Sequence, residues 1–141
     1  MFLPFILRSL RILRGDFIFR SLLIASLFLC FINPLKAQPT VELLSNKQNF
    51  GSVKRGEVVE LRYELRNSGN TPLLLLASEV SCSCTQVDFS KEPIAPGKSA
   101  TVIVRFDTKS VWGRQDRYVY ITSNASGGEI ALRYKGQVSK D

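Results

Sequence analysis

Two cysteines one residue apart, Cys82 and Cys84 in the stretch Ser81-Cys82-Ser83-Cys84-Thr85, are the side chains of this sequence best suited to chemistry, and no histidine accompanies them in its 141 residues. Four chemistries fit such a pair. In an extended strand, residues two apart point to the same face, so the two small side chains can fill an apolar rim together. A bend in the chain brings them within reach of an S–S bond, which Cα atoms more than ~7 Å apart cannot form. Two thiolates hold a soft ion such as Cu(I), which makes Cys82 and Cys84 the candidate metal ligands. A tetrahedral zinc site takes four ligands from the Cys, His and carboxylate set. With no His and no Met beyond Met1, a complete zinc site within one chain is not expected. Thiol catalysis, the fourth chemistry, needs a thiolate stabilised by a neighbouring base or a helix N-terminus, and the sequence offers neither.

No other group of residues has catalytic spacing. Asp88, Asp107 and Asp116 are scattered, and there is no glycine-rich phosphate loop, nucleophile elbow or paired-acid signature. No catalytic residue is therefore assigned. Trp112 beside Gly113, with Tyr118 and Tyr120 sharing one strand face, forms a candidate interaction surface, since Tyr and Trp carry much of the binding energy at protein interfaces. The competing reading is that Trp112 caps one end of the domain and the tyrosines cover a sheet. Asn124-Ala125-Ser126 matches a glycosylation sequon and is read as chance.

The elements that must position these residues are strands. From Pro39 onward apolar residues recur with period two, and no window shows a sustained helical repeat. A short strand runs from Thr40 to Leu44 and is followed by Phe50, Gly51, Ser52 and Val53. Val59, Leu61, Tyr63 and Leu65 then face a core while Glu60, Arg62, Glu64 and Arg66 face water. Asn67 to Pro72 carries turn chemistry. The run from Pro72 to Val80 is apolar on both faces over Leu73 to Leu76, which predicts a central element covered on two sides or one crossing between sheets. After the cysteines, Pro93-Ile94-Ala95-Pro96-Gly97 makes a rigid turn. Ala100, Val102, Val104 and Phe106 then alternate with polar residues. Val119 and Ile121 oppose Tyr118 and Tyr120, residues 123–128 form a hairpin loop, and Ile130, Leu132 and Tyr134 point inward opposite Arg133, Lys135 and Gln137. About seven strands at this spacing predict an all-β, immunoglobulin-like β-sandwich.

Residues 1–37 read as a secretory signal peptide. Arg8, Arg11, Arg14 and Arg20 precede an uncharged run from Ser21 to Ile32, then Asn33, Pro34 and Leu35-Lys36-Ala37. Cleavage after Ala37 is expected, leaving one domain over residues 38–141 with no membrane span, since a spanning helix needs roughly 20 apolar residues. An uncleaved signal anchor is the alternative. Lipid attachment at Cys30 is disfavoured by the bulky Leu29 before it. Much of the formal charge of +7 sits in this leader. Downstream, bases alternate with acids as in Glu60, Arg62, Glu64 and Arg66, which describes a solvated face and not a phosphate-binding patch, so no nucleic-acid partner is expected.

The order of landmarks, FGSVKRGE, LRNSGNTPLLL, SCSCT, KEPIAPGKSATVIVRFDT, Gly113, YITSN and YKGQV, resembles a bacterial exported family of unknown function, DUF 1573. Its members are similar to the immunoglobulin-like modules of sperm and ciliary proteins. The resemblance spans about Phe50 to Val138 and implies the same sandwich. It implies no activity. Glycine commonly separates the cysteines in that family, whereas Ser83 stands there in this chain, and its Cβ restricts positive φ. The expected function is a non-enzymatic structural or interaction module, periplasmic or at the cell surface, with an envelope or extracellular protein as partner and no cofactor. The alternative is a Cu(I)-binding or redox-responsive protein centred on Cys82 and Cys84.

Overall fold

A computed structural model describes residues 37–140, and within them the chain forms eight strands. These are β1 (Val41–Leu43), β2 (Lys47–Lys54), β3 (Val58–Asn67), β4 (Leu75–Val80), β5 (Thr85–Asp88), β6 (Ser99–Asp107), β7 (Gly113–Ser123) and β8 (Glu129–Ser139). Two four-stranded sheets, ordered β1-β3-β6-β5 and β2-β8-β7-β4, face each other across one core. Except for Ala37, the expected leader lies outside the described residues.

The strand count exceeds seven because the N-terminal strand is divided between the sheets. β1 runs antiparallel to β3, the chain crosses at Leu44 to Asn46, and β2 then lies parallel to β8. Leu44 is exposed at this crossing.

Alternation decides which residues enter the core. Leu61, Tyr63 and Leu65 from β3 and Val102, Val104 and Phe106 from β6 are buried, and they meet Val119 and Ile121 from β7 and Leu132, Tyr134 and Val138 from β8. Each such side chain contributes roughly 1.5–3 kcal/mol by leaving water. The inward face of β8 skips one side chain at Gly136. A Cβ there would overlap the ring of Phe50 on β2, and that ring joins Phe106 and Tyr134 in an aromatic cluster with centroids 5.3 to 6.4 Å apart.

The segment from Pro72 to Val80 departs from the central position expected for it. β4 is an edge strand, and every residue after Leu75 is exposed. The apolar run is spent on the crossing: Leu73 bridges to Ile94 and is buried, Leu75 is buried as β4 joins β7, and Leu76 already faces solvent. Buried Asn67 secures the turns on either side of this crossing. Its Nδ2 donates to the carbonyls of Thr71 (2.8 Å) and Ile94 (2.9 Å), and its Oδ1 accepts from the Gly69 N–H at 3.0 Å. The Pro93 to Gly97 turn closes through Gly97 at φ 76°, whose N–H donates to the Asn67 carbonyl at 2.8 Å.

Candidate functional site

Cys82 and Cys84 lie in the corner that carries the chain from β4, at the edge of one sheet, to β5, at the edge of the other. The backbone bends there, bringing the two Cα atoms to 5.1 Å, and the sulfurs are joined in a disulfide. No non-glycine residue among those described has positive φ. The turn therefore closes over Ser83 without the backbone freedom of glycine.

Three hydrogen bonds hold this corner. The Cys84 N–H donates to Cys82 Sγ at 3.1 Å, the Thr85 N–H donates to the Cys82 carbonyl at 3.1 Å, and the Asp107 N–H of β6 donates to the Cys84 carbonyl at 2.8 Å. Thr85 does more than continue the motif. Its hydroxyl is buried and lies 2.6 Å from the hydroxyl of Tyr134, so one hydrogen bond crosses from the first residue of β5 to β8 in the opposite sheet. The sequence shows a threonine directly after the cysteines and a tyrosine at an inward strand position, but nothing in their spacing, 49 residues apart, pairs them.

Burial of the tyrosine hydroxyls disfavours their ionised forms. Desolvation pushes Tyr63 above the usual tyrosine range, with the neighbouring Tyr134 adding to the effect, and Tyr63 donates to the Arg133 carbonyl at 2.8 Å. Tyr134 is raised by the same desolvation, partly offset by its bond to Thr85.

A cleft of about 310 Å³ opens beside the disulfide, lined by Ser83, Cys84, Gln86, Arg105, Asp107 and Lys109 among others. Cys84 borders it and Cys82 does not. Arg105 pairs with Glu60 at 3.2 Å and reaches Asp88 at 3.9 Å, while Lys109 lies 3.8 Å from Asp107. The Arg62 hydrogen bond first, and Arg105 in addition, hold the Glu60 carboxyl below its usual range. Among the described residues no group of three or more Cys, His, Asp and Glu is placed to hold a metal ion. As a disulfide the pair presents no thiolate for a soft metal ion.

The three aromatic candidates do not pack as one cluster. Tyr118 and Tyr120 project from the outer face of β7 and stack on each other, with centroids 6.1 Å apart and planes at 10°. Arg133 lies over Tyr118 at 5.4 Å and makes a two-pronged pair with Asp116 at 2.7 and 2.5 Å. That pairing holds the Asp116 carboxyl below its usual range. Trp112 precedes β7, roughly 20 Å back along the strand at ~3.4 Å per residue. It is 58% exposed, with Arg55 and Lys140 near its ring at 5.9 and 5.6 Å. Asn124 of the sequon is engaged on both sides of its amide, accepting from the Leu74 N–H at 2.7 Å and donating to the Pro72 carbonyl at 3.1 Å. Its role is to tie the β7–β8 hairpin to the segment entering β4.

A family model described as a protein of unknown function, DUF1573, matches residues 41–138, from the first residue of β1 to the last but one of β8. The chain belongs to the DUF1573 family. Among solved structures, this DUF1573 domain is similar to a protein of unknown function from Porphyromonas gingivalis W83, with a TM-score of 0.65 and 22% identity over 76% of this chain and 50% of that one. The chain thus spans half the length of that relative. It is also similar to the ASH/PapD-like domain 7 of human CEP192, with a TM-score of 0.57 and 16% identity over 79% of this chain and 94% of that one. The VesB protease of Vibrio cholerae matches with a TM-score of 0.53 and 17% identity, over 73% of this chain and 32% of the protease. At these identities the likeness is one of fold. None of the curated proteins matches this chain.

Proposed function

We propose that this DUF1573 protein is a non-enzymatic interaction module, exported to the periplasm or cell surface, that binds an extended segment of another envelope protein along β4. The observation that carries this reading is the state of that edge. β4 pairs with β7 on one side only, and its exposed residues include Leu76 at 53% and Val80 at 39% accessibility. An edge of unpaired N–H and C=O groups with apolar side chains is a template for strand addition, in which backbone hydrogen bonds supply affinity and alternate side chains supply selectivity.

The tyrosine pair extends this surface. Tyr120 is the cross-strand partner of Glu79 on β4, so a strand added beside β4 lies two strands from the Tyr118–Tyr120 stack, roughly 10 Å at ~4.8 Å per strand. The test is site-specific photocrosslinking in the producing cell. A crosslinker at Leu76 or Val80 is expected to capture one reproducible partner, and one at Trp112 is not. Capture from Trp112 with none from β4 would overturn the assignment of the edge.

A further inference from the structure

We propose that the Cys82–Cys84 disulfide is a thiol-exchange site, at which an incoming thiolate enters the cleft and attacks Cys84 Sγ while Cys82 departs as the thiolate. This goes beyond the binding role of β4 and stands independently of it. Two observations support the direction of attack, and a third bears on the charge of the attacking group. Cys84, half-buried with one side packed against the core, borders the 310 Å³ cleft and Cys82 does not, so an attacking group seated there lies beside Cys84. The Cys84 backbone N–H already donates to Cys82 Sγ at 3.1 Å. A hydrogen bond to the charged form favours it, so Cys82 is the better leaving group. The cleft wall itself carries Arg105 and Lys109 against the single carboxylate Asp107, with Glu60 and Asp88 pairing with Arg105 from outside the lining, so the residues that line it favour an anionic nucleophile.

The corner is also built to survive opening of the bond. The disulfide closes a loop containing only Ser83, so it restricts the unfolded chain little. The Asp107 N–H to Cys84 carbonyl bond and the Thr85–Tyr134 bond hold the corner in place by other means.

The electron balance is simple. The incoming thiolate forms a new S–S bond to Cys84 as the Cys82–Cys84 bond breaks, and the electron pair of that bond goes to Cys82. A second thiolate then attacks the donor-derived sulfur of the mixed disulfide and releases Cys84. The two donor thiols end as a disulfide, and the cysteine pair ends reduced by two electrons. The donor is an anionic thiol, either a small molecule such as glutathione or a cysteine in an acidic peptide segment.

The experiment uses the protein purified from its envelope without reductant. It is exposed to glutathione for short times, quenched with N-ethylmaleimide and mapped by mass spectrometry. Glutathione on Cys84 with maleimide on Cys82 is the expected product. Glutathione on Cys82, no adduct at millimolar glutathione, or two free thiols before glutathione is added would each overturn the proposal. Arg105→Gln combined with Lys109→Gln is expected to slow exchange with glutathione about tenfold at low salt while leaving the cationic thiol cysteamine unaffected. Equal slowing of both thiols, with the melting temperature unchanged, would remove the cations from the mechanism. A cysteine peptide flanked by acids, run at equal thiol concentration, separates the two sources. Faster exchange than glutathione assigns the donor to a protein, and slower exchange to a small thiol.

Discussion

The second sheet ends on β2 at one side and on β4 at the other, and the two edges differ in the features that govern whether another strand can join them. β2 is kinked by a register shift between Asn49 and Ser52, with Gly51 at φ 73°, and it carries lysines at both ends of its eight residues. Bulges and edge lysines block pairing with a further strand. Phe50 then anchors this edge to the core over Gly136. β4 also has a register shift, between Leu75 and Ala77 where it joins β7, but beyond it pairs regularly from Ala77 to Val80, has neither lysine nor proline, and exposes Leu76 and Val80 on either side of Glu79. The same sheet is thus closed to addition on one side and open on the other, which is why the binding role is placed on β4.

The largest effect should come from releasing the closed edge. Phe50→Ala removes the ring that fills the space over Gly136 and is expected to cost about 3 kcal/mol, read as a lowered denaturation midpoint. A loss below about 1 kcal/mol would mean that β2 is not held by that ring. Next is the bond between the cysteine corner and the opposite sheet. Thr85→Val leaves the buried Tyr134 hydroxyl without its partner and should cost about 1–2 kcal/mol.

A third test uses pH. Tyr63 and Tyr134 have folded-state values above the unfolded tyrosine value of roughly 10. Their contribution to stability is therefore complete below that pH and is lost as pH rises from it through the folded values. Unfolding midpoints should fall above about pH 10, and Tyr134→Phe should flatten that fall. Equal slopes for variant and parent would contradict the assignment.

The smallest effect on stability belongs to the open edge. Leu76→Lys should change it by no more than about 0.5 kcal/mol, because Leu76 already faces solvent, and Val80→Lys by no more than about 1 kcal/mol, because Val80 lies opposite buried Val119 but at the open rim of the sheet. The same substitutions should abolish partner capture from β4, since a lysine on an edge strand opposes addition. Capture that survives both would remove the distinction between the two edges.

Much of this fold was legible from the order of residues alone. Strict alternation over Leu61, Tyr63 and Leu65, and over Val102, Val104 and Phe106, assigns those side chains to one face, because a strand has no other way to divide its residues. The same period identified the inward residues of β7 and β8. It left Leu73 to Leu76 open between a doubly covered strand and a chain stepping from one sheet to the other, because a continuous apolar run reads the same in both, and it misplaced only the strand that follows, which lies at an edge and not at the centre. The Leu73–Ile94 bridge distinguishes the two readings, and it joins residues far apart in sequence. Trp112, Tyr118 and Tyr120 looked like one cluster because they are close in the chain, but an extended strand carries neighbours apart quickly.

The sequence by itself determined the all-β class, the alternating core and the presence of a chemically distinct cysteine pair, because these follow from local period and residue type. Only the tertiary structure decided that β4 is an open edge, that Thr85 joins the cysteine corner to Tyr134, and that Cys84 and not Cys82 borders a cleft. Each of these depends on which strands lie beside or across from one another, and such contacts are set by the packing of the two sheets as a whole.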